Sequence, residues 1–139
     1  MNSFKFCFND KEYTLSEENL EYFQNDEETP VADIDADTVI SLLNENNDAA
    51  FTTEYYDLPC SICKHGKVGK SKYYDYLEYH FYIFTKESKY VISSISKEYK
   101  ENSLDNMLSS GTVEDSCLVS IAVCTNCGSY SIDLETVHK

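Results

Sequence analysis

Arginine and tryptophan are absent from this chain of 139 residues, and glycine occurs only four times. Arginine is the main bidentate reader of base edges, so its absence removes the commonest tool of sequence-specific nucleic-acid recognition. The balance of 11 lysines against 25 acidic residues leaves a net charge of −14, which repels phosphate backbones. Nucleic-acid binding is therefore not expected, and the acidity serves solubility. Long apolar runs are also missing. The opening "MNSFKFCFNDKEY" has neither an apolar core nor a small-residue cleavage site, so we expect no signal peptide, no membrane span and a reducing cytoplasm.

Motifs of catalysis are equally scarce. None of His65, His80 and His138 has a partner pattern for nucleophilic chemistry. Gly66 and Gly69 in "GKVGKS" do not match a phosphate-binding loop. Asp33, Asp35 and Asp37 lack the glycine and distal glutamate of a calcium loop. An enzyme is not the expectation.

What is present is an aromatic, charge-segregated chain of single-domain size, with a 42% hydrophobic fraction. Residues 1–57 carry two lysines and fifteen acids, whereas 58–100 carry eight lysines and four acids. The first part reads as an acidic hairpin plus two helices. "FKFCFNDKEYTL" alternates like a hairpin about Asn9-Asp10. Ser16 as an N-cap, acids at 17 and 18, and a Leu15/Leu20 staple predict a helix over 17–23. Ala36, Val39, Ile40 and Leu43 at helical spacing after Asp35 predict a second over 36–46. "AAFTTEYYDL" reads as extended.

The second part, 58–139, reads as strands with one inserted helix. Residues 73–84 and 89–96 should pair as a hairpin across "TKES". A short helix is expected over about 103–110, closed by Gly111. "SCLVSIAV" and "SYSIDLETV" then flank the turn "CTNCG".

Cysteine placement carries the main functional signal. Cys60/Cys63 and Cys124/Cys127 are two C-x2-C pairs. Two intervening residues let a tight turn aim both sulfurs at one ion. Gly128 suits the left-handed backbone that closes such a turn. Sixty residues separate the pairs, where a compact ribbon has roughly 15–20. The longer loop costs only about 1 kcal/mol more in closure entropy, against roughly 10–16 kcal/mol of apparent binding free energy from a structural zinc. The set therefore points to one structural Zn2+ held by Cys60, Cys63, Cys124 and Cys127. Redox-active dithiols, an iron–sulfur site, separate disulfides and inert thiols compete with it, and the redox reading lacks a helix N-terminus behind a CxxC. Cys7 and Cys117 read as small buried hydrophobes.

A second feature concerns partners. Tyr74, Tyr76, His80 and Tyr82 share one face of the 73–84 strand, with Glu78 among them. Tyrosine-rich faces recur at interfaces, so these residues are a candidate contact with a second copy or another protein. Lys64, Lys67, Lys70 and Lys72 form a basic cluster that balances a zinc tetrathiolate or rims this contact.

"CSIC" with "CTNCGSYSI" resembles the two knuckles of a zinc ribbon. The whole chain, through "EYHFYIFTK" as well, is similar to a small uncharacterised bacterial family, a domain of unknown function. That resemblance implies a zinc-bearing domain and no activity. The expected protein is one α+β domain over 1–139, with a small antiparallel sheet, short helices and a zinc-ribbon-like site. Its expected role is a zinc-stabilised interaction or adaptor domain. A thiol redox enzyme or sensor, and an acidic nucleic-acid mimic, are the alternatives.

Overall fold

The structure, a computed structural model, describes residues 2–45, 49–58, 60, 62–63, 74–96 and 104–137. The lysines at 64–72, His65, Gly66, Gly69, Tyr73 and His138 lie outside the described residues.

The chain opens with the expected hairpin of β1 (Phe4–Phe8) and β2 (Lys11–Leu15). Asn9 and Asp10 turn it at φ 49° and 64°, the left-handed pair that a tight two-residue hairpin demands and that Asn and Asp tolerate. The predicted helix over 17–23 does not form. A single 3-10 turn, Glu17–Asn19, gives way at once to β3 (Leu20–Gln24). The Asn19 amide oxygen accepts from the Ser16 N–H and hydroxyl, at 2.8 and 3.0 Å, which closes one turn and no more. Beyond it, pairing with a partner strand captures the Tyr22-Phe23-Gln24 backbone. Local capping signals are worth about 1 kcal/mol, and tertiary pairing overrides them.

Helix α1 (Ala36–Glu45) forms as its spacing predicts. The Asp35 carboxylate accepts from the Thr38 N–H at 2.8 Å, and Val39, Ile40 and Leu43 are fully buried. β4 (Thr52–Tyr56), β5 (Tyr74–Lys86), β6 (Lys89–Ser93), α2 (Leu104–Ser109), β7 (Asp115–Cys124) and β8 (Tyr130–Val137) follow.

Six strands make one mixed sheet in the order β3-β8-β7-β5-β4, with β6 also on β5. Ten of the thirteen residues of β5, Tyr76 to Thr85, pair with β7 on one side. On the other side its first half takes β4 and its second half takes β6. β3 runs parallel to β8, and the other pairs are antiparallel. Strands from both halves of the sequence thus share one sheet.

The expected α+β class and small antiparallel sheet are therefore corrected. Among the described residues there are eight strands and two short helices, so the protein is mostly β. The physical reason lies in the Tyr-, Val- and Ile-rich segments, whose side chains pack best on a pleated surface. One face of the sheet, carrying Leu77, Phe81, Val119, Ile121, Tyr130 and Ile132, packs against α1 and the first hairpin as the main core. On the opposite face, α2 covers one end through Met107 against Phe84 and Val113. Among the described residues no helix is long and apolar enough to cross a membrane.

Candidate metal centre

The cysteines of the two pairs converge at one end of the sheet. β7 ends at Cys124, the chain turns, and β8 leaves at Tyr130. Within the turn the Gly128 N–H donates to the Cys124 carbonyl at 3.0 Å, and the Cys124 N–H donates to the Ser129 carbonyl at 2.8 Å. Gly128 has φ 77°, as the sequence implied. The N–H groups of Asn126 and Cys127 hydrogen-bond to the Cys124 sulfur, and those of Ile62 and Cys63 to the Cys60 sulfur. Each CxxC is thus a knuckle whose backbone solvates its first sulfur, an arrangement that stabilises thiolate ligands.

The four Sγ atoms lie within 4.8 Å of one another and can hold a metal ion. Cys60 stands 3.7 Å from Cys127, and Cys63 stands 3.7 Å from Cys124. Both distances are far longer than a disulfide bond of about 2.05 Å. Cys60 and Cys124 are buried, Cys63 is half-buried and Cys127 is exposed, so the site opens to solvent on one side.

The two leading thiols differ in acidity. Burial opposes ionisation of Cys60, but hydrogen bonds from Ser129 and the Cys63 and Ile62 amides outweigh it and hold its pKa below the usual thiol value. Burial dominates at Cys124 and pushes its thiol up to about 12.

Sequence reasoning missed several supporting residues. The buried Ser129 hydroxyl sits 3.3 Å from the Cys60 sulfur and 3.0 Å from that of Cys127, bridging the knuckles. Asn19 donates to the Gly128 carbonyl at 2.8 Å. The Lys11 ammonium donates to the Thr125 and Asn126 carbonyls. The Thr125 hydroxyl ties the second knuckle to the Asp75 carbonyl at 3.1 Å. Only Ser129 had a local signal, its place just after "CTNCG". Asn19 and Lys11 arrive from the distant first part of the chain, and Thr125, though inside the knuckle, bonds to distant Asp75.

Of the remaining cysteines, Cys117 is fully buried in the core as expected, and burial raises its thiol pKa to about 11. Cys7 is exposed, contrary to expectation, because its neighbours Phe6 and Phe8 turn the other way toward the core.

Tyr74, Tyr76, His80 and Tyr82 lie on the sheet face opposite the main core. Tyr74 and Tyr76 are half-buried, whereas His80 and Tyr82 are exposed. Tyr76 stacks on Tyr56 with ring centres 4.3 Å apart. A chain of hydrogen bonds runs across the face. The Tyr56 hydroxyl donates to one Glu78 oxygen, His80 Nε2 lies 2.8 Å from the other, and His80 Nδ1 lies 2.9 Å from the Ser120 hydroxyl. This resembles a nucleophilic triad in composition only. Ser120 is mid-strand between β5 and β8, where its neighbours' amides serve the sheet ladders, and hydrolysis of an acyl group needs free donors for the oxyanion.

Sheet and site together define a mostly β protein built around a four-cysteine centre. The chain matches the family described as "Protein of unknown function (DUF3785)" over residues 4–138 and belongs to it. No curated protein and no solved structure matches the chain.

Proposed function

We propose that Cys60, Cys63, Cys124 and Cys127 hold one structural Zn2+ per chain, and that the domain serves as an interaction or adaptor module in a reducing cytoplasm. The observation that carries the metal reading is the sulfur geometry. A ZnS4 tetrahedron with bonds of about 2.3 Å has S···S edges of about 3.8 Å, and both cross-knuckle distances are 3.7 Å. Four thiolates fill the coordination sphere, so the ion's task is mechanical rather than Lewis-acid catalysis. It would clamp residues 60–63 to the β7–β8 hairpin. The interaction reading rests on the sheet face opposite the main core, where Tyr82 is 44% exposed and His80 lies beside it. Net charge and the missing arginine argue for a protein rather than a nucleic-acid partner.

Elemental analysis of freshly purified, reduced protein tests the metal, with about one zinc per chain expected. A folded sample without metal overturns it, and iron in place of zinc overturns the identity. For the partner face, Tyr76→Ser with Tyr82→Ser should lower self-association in sedimentation or release a co-purifying protein, with zinc content retained. A fold lost in this double variant would make the tyrosines structural instead.

A further inference from the structure

A groove of about 210 Å3 runs across the sheet face opposite the main core, beside the cysteine centre. Its floor is made of small residues, Ala122 of β7, Ser129 of the turn and Ser131 of β8. Its walls are tyrosine rings. Tyr22 stands on one side, and the stacked pair Tyr56 and Tyr76 stands on the other. Small floor residues between large walls create the depth. Glu21 also lines it, and among the described residues none of the side chains lining it is cationic.

Acidic groups surround the rings. Tyr22 donates to Asp133 at 3.3 Å, Tyr56 donates to Glu78, and Glu54 pairs in register with Tyr76. The hydroxyls therefore point their protons at carboxylates, and the ring faces stay electron-rich. An aromatic face attracts a cation, and desolvation strengthens that attraction.

We propose that this groove binds a lysine or arginine side chain presented by a segment of a partner protein. The aliphatic stem would lie over Ala122 and the serines, and the ammonium or guanidinium would sit between the tyrosine rings and Glu21. This rests on the interaction-module reading and names its partner chemistry.

The test uses the full, zinc-loaded chain and two blocked peptides, one of alternating lysine and glycine and its counterpart with every lysine acetylated. Binding is read by calorimetry and by shifts of tyrosine ring resonances. The lysine peptide should bind and shift the Tyr22, Tyr56 and Tyr76 signals, and the acetylated one should not. Tyr22→Leu and Glu21→Gln should each weaken binding about fivefold, as loss of one cation–π or charge contact implies. Glu87→Gln, an exposed charge on the β5–β6 turn, should change it little.

Equal binding of both peptides overturns the proposal, as does equal weakening by Glu87→Gln, which would signal attraction to net charge alone. Binding that emerges only when Lys64, Lys67, Lys70 and Lys72 are replaced by Gln overturns it too, since the chain's own lysines would then be the occupant. If neither peptide binds while Tyr76→Ser with Tyr82→Ser still releases a partner, the cation site fails and the interaction reading stands.

Discussion

The side-chain amide of Asn19 donates to the Gly128 carbonyl at 2.8 Å, across 109 residues of sequence. The same amide donates to the Thr14 carbonyl at 2.6 Å, and its oxygen accepts from Ser16. One half-buried side chain thus joins the end of the first hairpin, the start of β3 and the second cysteine knuckle. Asn19→Ala removes these bonds and leaves two carbonyls short of a donor. We expect a loss of about 1–3 kcal/mol in urea unfolding. Zinc should be released to a chelator faster than from wild type, because the Gly128 end of the knuckle loses its tether.

The four cysteines of the cluster should separate cleanly from the other two. Cys63→Ser and Cys127→Ser should each lower metal content well below one ion per chain and depress Tm. Cys117→Ser should keep its metal but lose stability, because it places a hydroxyl in a fully buried core position. Cys7→Ser, at an exposed strand position, should change neither. Metal analysis and thermal melts on the four variants check all of this.

Gly128 allows a test of backbone strain alone. A Cβ built there meets nothing within 4 Å, so alanine would fit sterically, but φ is 77°. Gly128→Ala should cost about 1 kcal/mol from the left-handed conformation. It should weaken metal retention without changing the sheet, as circular dichroism and chelator competition would show.

Asp133 on β8 carries a pH-dependent cost. Burial raises its pKa above the ordinary 3.8, and the hydrogen bond from Tyr22 only partly offsets this. An acid whose folded pKa is raised destabilises the fold wherever it is ionised in both states. That cost is full above the folded pKa and fades as pH falls to the unfolded value. Asp133→Asn should therefore resist urea better than wild type near neutral pH. The gap should narrow as pH falls toward about 4.

Much of this protein was legible along the chain because its signals are local. The first hairpin, α1 with its Asp35 cap and the β5–β6 pair follow from alternation, helical spacing and turn residues. These depend on neighbours within a few positions. The two knuckles that make up the four-cysteine cluster were legible for the same reason, since a C-x2-C knuckle with its closing glycine is a short-range object. The Leu20–Gln24 segment was misread because its capping and staple signals are local too, while the parallel pairing with β8 that makes it a strand acts across more than a hundred residues. Cys7 was misplaced because period-2 alternation separates two strand faces without saying which one meets the core.

Sequence by itself determined the acidic balance, the two knuckles and the strand-forming segments, since composition and short spacing dictate these. Tertiary structure alone decided that a single mixed sheet unites both halves of the chain. It also decided that Ser129, Asn19 and Lys11 surround the cysteines, and that Tyr22, Tyr56 and Tyr76 flank a groove floored by Ala122 and two serines. Each of these rests on contacts between residues far apart in the chain. Their energies appear only once the sheet register fixes which side chains stand beside one another.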